Sequence, residues 1–558
     1  MQYGELTAVY DRLEATASTL EKTEILAETF ADAGDLLPEL SLLARGRLFA
    51  AWEPDELGVS SSLTVEAIAT ASGLPDERIE EWWREEGDLG DAAALAVENR
   101  VQATLVSDSL DVREVYETLR GLADHEGAGS QDRRVGEIAG LLGDSDPDEA
   151  RYIVRTTVGA MRLGVGEGTI RDALAAAFLE GEEDAARAVE RAYEVTNDFR
   201  TVSETAREAG REGLGELEIE LFRPIKAMLA RKADGLEDAL GGTERPVVEY
   251  KYDGMRTKIH VREGEIRLFT RRLEDVTAQF PDVVAAVEKE VGTDRAIIEA
   301  EVVGYDNGTP IPFQEFSKRI KRKEEIAELA ERYPVTVHAF DLLYDDGSLL
   351  ESPLVERLDR LTEVLEPEGT VRRAENVRPD SLEAAKTFYE DALAAGQEGV
   401  VVKNPEAPYR PGSRVGYMRK VKPTMERLDL VVVGAKWSEG RKSDWLGRLR
   451  LACFDDERGE LREVGRLFSG LTDDELREIT AKLEPLVESA EGRAVTVRPE
   501  VVIEVEYEEI QASETYDSGY ALRFPRFSGF REDLGPEDAD GFERVRELYD
   551  DQHRTEGA

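Results

Sequence analysis

The spacing of apolar residues changes near residue 215 of this 558-residue chain, and this change limits the folds that the chain can adopt. Before that point apolar residues recur at three- and four-residue steps, as in AVENRVQATLVSDSLDVREVYETLRGLADHEG (96–127). Such spacing is typical of amphipathic helices, and clusters such as GLPDE and GDSDPDE separate one helix from the next. We therefore expect an all-α domain over residues 1–215.

Strand-like segments begin after that point. Residues 216–425 mix apolar runs such as AIIEAEVVGYD (296–306) with helical stretches such as SLEAAKTFYEDALAAG (381–396), which predicts an α+β domain. Residues 426–558 hold short strands separated by turns, which predicts a small β-barrel followed by an acidic tail that ends in a short helix. Two to four domains also suit a chain of this length.

The charge is strongly unbalanced, with 120 Asp and Glu residues against 71 Lys and Arg residues and a net charge of −49. In an ordinary cytosol such a field repels nucleic-acid phosphates, so one interpretation is a protein that avoids polyanions. The other is adaptation to very high salt, where the Debye length falls to about 3 Å near 1 M. Acidic residues are spread over every segment, which favours a halophile-like surface as a hypothesis. Full stability without salt would contradict it.

Several protein classes are excluded or disfavoured. No stretch reaches the roughly 18 apolar residues of a membrane span, and the first residues are polar, without a signal-peptide core. The single cysteine, Cys453, excludes an internal disulfide and a cysteine-based zinc site. The four histidines lie far apart in the sequence, so a histidine metal site is not indicated. We expect a cytoplasmic protein with no membrane association.

The segment VVEYKYDGMR (247–256) places Lys251 between two tyrosines and just before an Asp253–Gly254 turn. A lysine in such a position is most often a solvated or ion-paired surface residue. A nucleophilic lysine must lose its proton, and since the ordinary lysine pKa is about 10.4, burial or neighbouring cations are needed. The rest of the chain must therefore supply that environment.

Carboxylates that could bind a metal ion lie downstream. Glu299 and Glu301 are two residues apart, so on a strand they would share one face. Glu398 opens an apolar strand that ends in Lys403. Carboxylates at strand ends facing a cleft suit Mg²⁺, which binds one or two carboxylates together with substrate phosphate. The alternative is that these are ordinary surface carboxylates.

Cations and an aromatic residue complete the candidate set. Lys420 and Lys422 would share a strand face and suit a polyphosphate, and Phe340 could form a flat wall against a purine base. Arginines could add fork-shaped donors for phosphate oxygens. Taken singly, each is better explained as a core aromatic or a solvated cation; their order within one domain is what favours a site. The arginine candidates are Arg256, Arg271 and Arg414.

Six motifs in the second domain resemble the ordered motifs of ATP-dependent DNA ligases, which belong to the covalent nucleotidyltransferase superfamily. They are KYDGMR (251–256), FTRRLEDVT (269–277), IEAEVV (298–303), FDLLYDDG (340–347), EGVVVK (398–403) and RVGYMRKVK (414–422). A single KxDG motif would be weak, but six in order are specific.

The resemblance extends on both sides and covers nearly the whole chain. LRFPRFSGFRED (522–533) resembles the C-terminal ligase motif, and GDLG (87–90), residues 150–178 and RPIKAMLA (223–230) resemble the DNA-binding part of archaeal and eukaryotic replicative ligases. It implies a helical DNA-binding domain over 1–215, an adenylation domain over 216–425, and an OB-fold domain with an acidic tail over 426–558.

The resemblance implies a role for each candidate. Lys251 would attack the α-phosphate of ATP and hold AMP as a phosphoramidate, while Glu249 would lie beside the adenine and Phe340 would stack on it. Glu301 would contact the ribose or a metal-bound water, and Glu398 would bind Mg²⁺ or another divalent cation. The phosphates would be approached by Arg256, Arg271, Arg414, Lys420 and Lys422.

The chain departs from the ligase pattern at three positions. Met418 stands where an aromatic residue is usual, and Gly529 and Leu534 stand where cations are usual. The role of the C-terminal motif in lysine adenylation is therefore in doubt. It would fall more heavily on Arg523, Arg526 and Arg531.

Three arginines of the first domain are candidates for contact with DNA. Arg151, Arg155 and Arg162 would lie close to one helical face, since offsets of 4 and 11 residues nearly coincide at 100° per residue. The following GVGEGT opens the next helix, whose free N–H groups could receive a phosphate. Spacing alone equally allows a solvated arginine face, and the family resemblance favours contact with the DNA backbone.

The predicted activity is sealing of 3′-hydroxyl/5′-phosphate nicks in duplex DNA through lysine–AMP and adenylated DNA, in replication, repair and recombination. The expected partners are nicked DNA and ATP, and the chain is expected to be a monomer. Whether it also binds a sliding clamp is left open by the sequence. The rivals are an mRNA-capping guanylyltransferase, an RNA ligase, an NAD-dependent ligase and a non-enzymatic DNA-binding protein. One cysteine argues against the four-cysteine zinc site of bacterial NAD-dependent ligases.

Overall fold

The computed structural model describes residues 1–101, 109–180, 182, 184–306, 308–311, 313–321, 325–366, 369–423, 427–438, 444–455, 458–468 and 470–554. Within these residues, none of the helices combines the length and apolar character that crossing a membrane requires.

The N-terminal part of the chain is helical, as its periodicity predicts. One apolar core extends from Tyr3 to Leu214 and joins its helices. Local sequence sets their ends: Asp146 accepts a hydrogen bond from the Glu149 N–H, and Pro147 occupies the first turn that follows. The helices are α1 (Tyr3–Ala15), α2 (Thr19–Ala31), α3 (Leu37–Leu43), α4 (Ser61–Ser72), α5 (Asp76–Glu86), α6 (Leu89–Glu98), α7 (Val112–Gly121), α8 (Ser130–Asp144), α9 (Pro147–Thr157), α10 (Glu167–Phe178), α11 (Ala185–Thr196) and α12 (Phe199–Glu216).

The middle part of the chain combines strands and helices, as expected for an α+β domain. Its elements are β1 (Leu229–Lys232), α13 (Leu236–Leu240), β2 (Val247–Tyr250), β3 (Met255–Arg262), β4 (Glu265–Thr270), α14 (Pro281–Glu290), β5 (Arg295–Asp306), β6 (Thr309–Pro310), α15 (Phe313–Lys321), α16 (Ile326–Arg332), β7 (Val335–Asp345), α17 (Leu354–Val364), β8 (Val371–Arg373), β9 (Asn376–Val377), α18 (Leu382–Ala394), β10 (Val400–Lys403) and β11 (Arg414–Val421).

Two sheets organise this middle part. One has the strand order β1-β11-β10-β2-β9, and the other has the order β4-β3-β5-β7-β8, with β6 beside β5. Because side chains alternate along a strand, each sheet has an apolar face and a face free for polar groups. Val248, Val400 and Val402 of the first sheet pack with residues of α13 and α18. In the second sheet Ile298 and Ala300 join a core that includes residues of α14 and α17.

The C-terminal part is rich in strands, with a core of its own. The order of its main sheet is β14-β13-β12-β16-β15, β17 pairs with β12 and β20, and β18 pairs with β19. The elements are β12 (Leu428–Trp437), β13 (Leu446–Asp455), β14 (Glu460–Leu467), α19 (Asp473–Leu483), β15 (Val487–Glu491), β16 (Ala494–Val497), β17 (Val502–Glu506), β18 (Glu509–Ala512), β19 (Tyr520–Arg523), β20 (Arg526–Phe530) and α20 (Phe542–Arg554).

The strand pairings in the described part of this region do not close into a barrel. The strand β12 is shared, since it pairs with β13 on one side and with β16 and β17 in succession on the other. The sheet therefore branches at β12, and β14 and β20 end its path without pairing to each other among the described strands. The predicted small β-barrel is therefore not found among the described strands, whereas the predicted helix in the acidic tail is present as α20.

Candidate functional site

Lys251 lies on the connection between the two sheets of the middle region. β2 belongs to one sheet and β3 to the other, and residues 251–254 join them. The Lys251 N–H donates to the Gly399 carbonyl at 2.9 Å, and the Glu398 N–H donates to the Lys251 carbonyl at 2.9 Å. These two backbone bonds fix Lys251 beside Glu398 at the opening of β10.

Two glycines allow this connection to lie so close to its neighbours. Gly399 has φ +135°, and a Cβ there would lie 2.2 Å from the Val421 carbonyl oxygen. At Gly254, a Cβ would lie 2.5 Å from the Val302 carbonyl oxygen on β5. Both contacts are far inside van der Waals distance, so a larger residue would displace the segment that carries Lys251.

A cavity of about 780 Å³ lies between the polar faces of the two sheets, a size that suits a nucleoside triphosphate. The register of the first sheet brings Glu249 and Lys420 to the cavity together, because Glu249, Val401 and Lys420 lie side by side on β2, β10 and β11. The cavity brings together most of the residues predicted from the sequence. They are Glu249, Lys251, Arg256, Arg271, Glu301, Phe340, Glu398, Arg414 and Lys420.

Glu398 is the carboxylate that holds Lys251. Its Oε2 atom contacts Lys251 Nζ and lies 2.8 Å from Lys422 Nζ. Burial alone would raise the pKa of Glu398, but the two ammonium groups outweigh burial and lower it to about 2. Lys422 is thereby placed at the site, although it follows the end of β11.

Glu301 has the opposite electrostatic situation. Burial raises the pKa of Glu301 to about 8, although Lys251 and Arg256 oppose the shift. The nearby carboxylates Glu398 and Asp253 raise it further. The described residues contain no cluster of three or more His, Cys, Asp or Glu side chains suited to a metal ion. Two neighbouring carboxylates that repel each other do fit a Mg²⁺ ion that takes its other ligands from phosphate and water.

Three cations of the cavity are available for an anionic ligand. In the part of the chain that the structure describes, Arg271, Arg414 and Lys420 make no ion pair with a carboxylate, and Arg414 donates to the Ala230 carbonyl at 2.8 Å. Burial lowers the pKa of Arg271, and repulsion from Arg256 and Arg414 lowers it further. Burial and the neighbouring Lys422 likewise lower the pKa of Lys420. In a chain this acidic, clustered unpaired cations indicate a polyanionic ligand.

Glu249 and Phe340 also line the cavity. Glu249 is 3% exposed, and its Oε1 atom lies 2.6 Å from Lys403 Nζ. Among the described residues, its Oε2 atom has no hydrogen-bond partner. A buried acceptor without a donor fits the exocyclic amino group of adenine. The Phe340 ring forms the adjacent wall, with Lys403 Nζ 4.8 Å from its centroid.

A largely buried network in the wall of the cavity was only partly anticipated. Glu299 shares the strand β5 with Glu301, as its spacing predicts, but it is 0% exposed. It binds Arg256 through both oxygens, at 3.1 and 2.9 Å, and lies 2.9 Å from Lys258 Nζ. Tyr409 donates its hydroxyl to Glu299 at 2.9 Å. Lys258 and Tyr409 were not predicted from the sequence. For Lys258 the available signal was strand alternation, which places it on the same face of β3 as Arg256, whereas Tyr409 carries no local signal.

The C-terminal region contributes Arg523 to the cavity. Of the three arginines expected to serve there, Arg531 instead pairs with Asp429 and Asp533 of its own region, and Arg526 is exposed on β20. Met418, at the position where ligases usually have an aromatic residue, is 7% exposed and lines the cavity.

The first-domain arginines do not share one helical face. Helix α9 ends at Thr157, so Arg162 lies beyond it with φ +57°. Arg155 is 3% exposed and pairs with Glu14, Asp88 and Asp91, which makes it an interior residue and corrects the expectation that it reaches DNA.

The two other arginines are more accessible. Arg151 pairs with Asp91 at 2.8 Å and with Asp148 at 2.7 Å, and Arg162 pairs with Asp88 at 3.1 Å. Their side chains are 26% and 48% exposed. The helix that GVGEGT (164–169) is predicted to open is present as α10, which begins at Glu167 within that segment.

A helical domain joined to an α+β domain, with a lysine-centred cleft between two sheets, is the architecture of a covalent nucleotidyltransferase. Family models described as "DNA ligase N terminus", "ATP dependent DNA ligase domain" and "ATP dependent DNA ligase C terminal region" match residues 2–175, 227–422 and 442–534. The chain is 42% identical to the DNA ligase of Thermococcus fumicolans over 99% of both chains. It is 40% identical to the DNA ligase of Archaeoglobus fulgidus over 98% of both.

The fold agrees with these matches. A solved structure named "Pmar-Lig_Pre." aligns with a TM-score of 0.59 at 17% identity, covering 94% of this chain and 99% of that one. The structure named "Pmar-Lig_PreS3" aligns with a TM-score of 0.58 at 18% identity and the same coverage. These likenesses concern the fold alone. The sequence matches show that the chain belongs to the ATP-dependent DNA ligase family and is an enzyme.

Proposed function

We propose that this enzyme seals nicks in duplex DNA by joining a 3′-hydroxyl to a 5′-phosphate, with ATP as co-substrate. The reaction has three steps: adenylation of Lys251, transfer of AMP to the 5′-phosphate, and attack of the 3′-hydroxyl with release of AMP. Its expected settings are replication, repair and recombination. The observation that carries the proposal is the cluster of Arg271, Arg414 and Lys420 around Lys251, in a cavity large enough for ATP.

In the first step Lys251 Nζ forms a bond to the α-phosphorus, and the bond from that phosphorus to the bridging oxygen of pyrophosphate breaks. The Lys251 ammonium must give up a proton before it attacks. Charge develops on the phosphate oxygens, where Arg271, Arg414 and Lys420 would stabilise it, and Lys420 and Lys422 would help pyrophosphate leave. Arg256 would also approach the phosphates, held in place by its two contacts with Glu299.

Adenine recognition would depend on Glu249 and Phe340. The unpartnered Glu249 Oε2 would accept a hydrogen bond from the adenine amino group, and Phe340 would stack on the ring. Guanine has a carbonyl oxygen where adenine has the amino group, so it would face the Glu249 carboxylate unfavourably. This contact supports ATP over GTP and argues against the capping-enzyme alternative.

The residues present also fit a divalent cation. Glu301 and Glu398 would hold it together with phosphate oxygens and water, and Glu301 could instead contact the ribose. When bound, the cation would neutralise charge on the phosphates. Mg²⁺ is the proposed ion, and another divalent cation could replace it.

We propose the domain limits 1–215, 216–425 and 426–558 and an OB-fold for the last, supported by its branched, strand-rich sheet. The first domain would contact the sugar–phosphate backbone of DNA, with Arg151 and Arg162 as the accessible candidates. The working unit would be a monomer. The Lys422–Glu508 contact at 3.6 Å and the position of Arg523 support a C-terminal domain that closes over the ATP site.

The test is formation of a covalent enzyme–AMP adduct from α-labelled ATP and Mg²⁺, followed by sealing of a nicked duplex. Lys251→Ala should abolish both reactions, whereas Lys232→Ala, which alters an exposed lysine of β1, should leave both unchanged. Retention of the adduct in Lys251→Ala would refute the proposal. Preferential labelling by GTP would favour a guanylyltransferase, and an adduct without sealing of DNA nicks would favour an RNA ligase.

A further inference from the structure

A second cavity, of about 170 Å³, lies where the helical domain meets the adenylation domain. Residues of α10 and α11 line one side of it. The other side is formed by Lys226, in the connection between the domains, and by the Pro411–Ser413 loop between β10 and β11. We call this space the seam cavity. It is separate from the ATP site, because the two cavities share no lining residue.

Asn197 points to a ligand in the seam cavity. It follows the end of α11 in the left-handed region, with φ +53°, and its N–H donates to the Tyr193 carbonyl at 2.7 Å. The residue lines the cavity and is only 2% exposed. Within the described part of the chain, neither its Oδ1 nor its Nδ2 atom has a hydrogen-bond partner. A buried amide that lacks partners calls for a ligand or water.

The charges that line the seam cavity do not balance. Three acids and two bases line it. Lys226 lies 2.5 Å from Glu167, and Arg171 lies 3.0 Å from Glu190, so both bases are used. Among the described residues no base pairs with the third acid, Glu194. Burial raises the pKa of Glu194, and the Ser413 hydroxyl and the Arg410 charge oppose this shift without forming an ion pair with Glu194.

We propose that the seam cavity binds one monovalent cation, K⁺ or Na⁺, between the Glu194 carboxylate, Asn197 Oδ1 and Ser413 Oγ. All three are oxygen ligands, which hard cations prefer. One carboxylate without an ion pair among the described residues matches a single positive charge. A divalent ion is disfavoured, because the described residues offer no cluster of three His, Cys, Asp or Glu ligands. The cation would also supply the missing partner of Asn197 Oδ1.

The cation would join two domains. Glu194 and Asn197 belong to the helical domain, whereas Ser413 belongs to the adenylation domain and donates its hydroxyl to Glu194 at 3.2 Å. Binding would therefore strengthen the Glu194–Ser413 contact, which is now one hydrogen bond from a neutral donor. Because a ligand that binds only the folded state stabilises it, the protein should become more stable as this cation is added. The inference goes beyond nick sealing and does not depend on Lys251.

The direct test uses Tl⁺, which resembles K⁺ and is visible by anomalous diffraction. Crystals of the full chain are soaked in a thallium(I) salt and compared with unsoaked crystals. We expect an anomalous peak within coordination distance of Glu194, Asn197 Oδ1 and Ser413 Oγ. Ordered water at that position without an anomalous peak would overturn the proposal, as would Tl⁺ bound only elsewhere.

A solution test uses matched variants. The Tm of the full chain is measured in KCl or NaCl and in choline chloride of equal ionic strength. The wild type should melt roughly 2–4 °C higher with the small cation. Glu194→Gln and Asn197→Gly, which keeps the left-handed backbone accessible, should lose this difference. Glu204→Gln, an exposed change on α12, should keep it.

Each result of the solution test bears on the proposal. An equal cation-specific rise in Glu194→Gln and in the wild type would refute it, because the proposed ligand would then be irrelevant. If the variants do not fold, the Tl⁺ measurement on the wild-type chain decides. Adduct formation from ATP should continue in folded variants, which separates loss of the seam cation from failure of the ATP site.

Discussion

Lys251 and Glu398 are in direct contact, and the Oε2 atom of Glu398 that holds Lys251 Nζ also lies 2.8 Å from Lys422 Nζ. One carboxylate therefore keeps two ammonium groups together that would otherwise repel each other. With its pKa lowered to about 2, Glu398 stays ionised at any working pH. The same carboxylate is a proposed metal ligand, so its loss should affect both the lysine and the cation.

Glu398→Gln should slow formation of the enzyme–AMP adduct by on the order of 10- to 100-fold, because Lys251 and Lys422 lose the charge between them. It should also raise the Mg²⁺ concentration needed for half-maximal rate. The matched control is Glu508→Gln, since Glu508 also faces Lys422 but at 3.6 Å and from the C-terminal region. We expect the control to remain within about threefold of wild type. Equal effects of the two variants would contradict the assignment of Glu398.

Arg271→Gln and Arg414→Gln should each raise the KM for ATP by roughly 10- to 100-fold in adduct formation, since each removes a charge-assisted bond to phosphate. Arg419→Gln is the control from the same strand as Arg414, because Arg419 already pairs with Asp238 at 2.9 Å. The control should change KM by less than about twofold. A similar increase in all three variants would indicate a general loss of charge and not a phosphate site.

Glu249→Gln should weaken the preference for ATP over inosine triphosphate. Inosine has a carbonyl oxygen in place of the adenine amino group, so the wild-type carboxylate should reject it. A glutamine amide can instead donate to that oxygen, and the ratio of kcat/KM for the two nucleotides should fall at least about tenfold. An unchanged ratio, with normal folding by circular dichroism, would remove Glu249 from base recognition.

The pKa of about 8 at Glu301 predicts a pH-dependent affinity for Mg²⁺ in the absence of nucleotide. This pKa is raised, so Glu301 is mostly protonated at pH 7 and must release a proton to bind a cation. Affinity should therefore rise roughly tenfold per pH unit up to about pH 8 and then level off. Calorimetry in buffers of different ionisation enthalpy measures the proton released. In Glu301→Gln both the proton release and the pH dependence should disappear, and their persistence would assign them to another group.

Strand periodicity was enough to predict part of the site. Glu299 and Glu301 do share the strand β5, and both line the cavity. Periodicity could not show that Glu299 is inaccessible, because its burial depends on Lys258 and on Tyr409, which is 110 residues away in sequence. Contacts of such separation are fixed by the tertiary fold and leave no local signal.

In the first domain, the 100° spacing of an α-helix does not hold from Arg151 to Arg162. The shared face of Arg151 and Arg162 requires a continuous helix, but α9 ends at Thr157 and Gly159 follows with φ +67°. The glycine was visible in the sequence and indicated a helix end. The OB-fold of the last domain, the halophile-like surface and the roles of the site residues stay predictions, since they depend on long-range pairing, on solvent or on chemistry.

Arg155→Ala should lower the free energy of unfolding of the helical domain by about 3–5 kcal/mol, because it leaves the buried Asp88 without its nearest interior cation. The change is measured by urea denaturation followed by circular dichroism. Arg162→Ala is the matched control: Arg162 also pairs with Asp88, but its side chain is 48% exposed, so we expect a loss of at most about 1 kcal/mol.

If Arg162 contacts phosphate, its removal should also weaken binding of nicked duplexes of any sequence and reduce the salt dependence of the binding constant by about one ion. Equal destabilisation by both changes would refute the structural role of Arg155, and unchanged DNA affinity in Arg162→Ala would remove Arg162 from the interface.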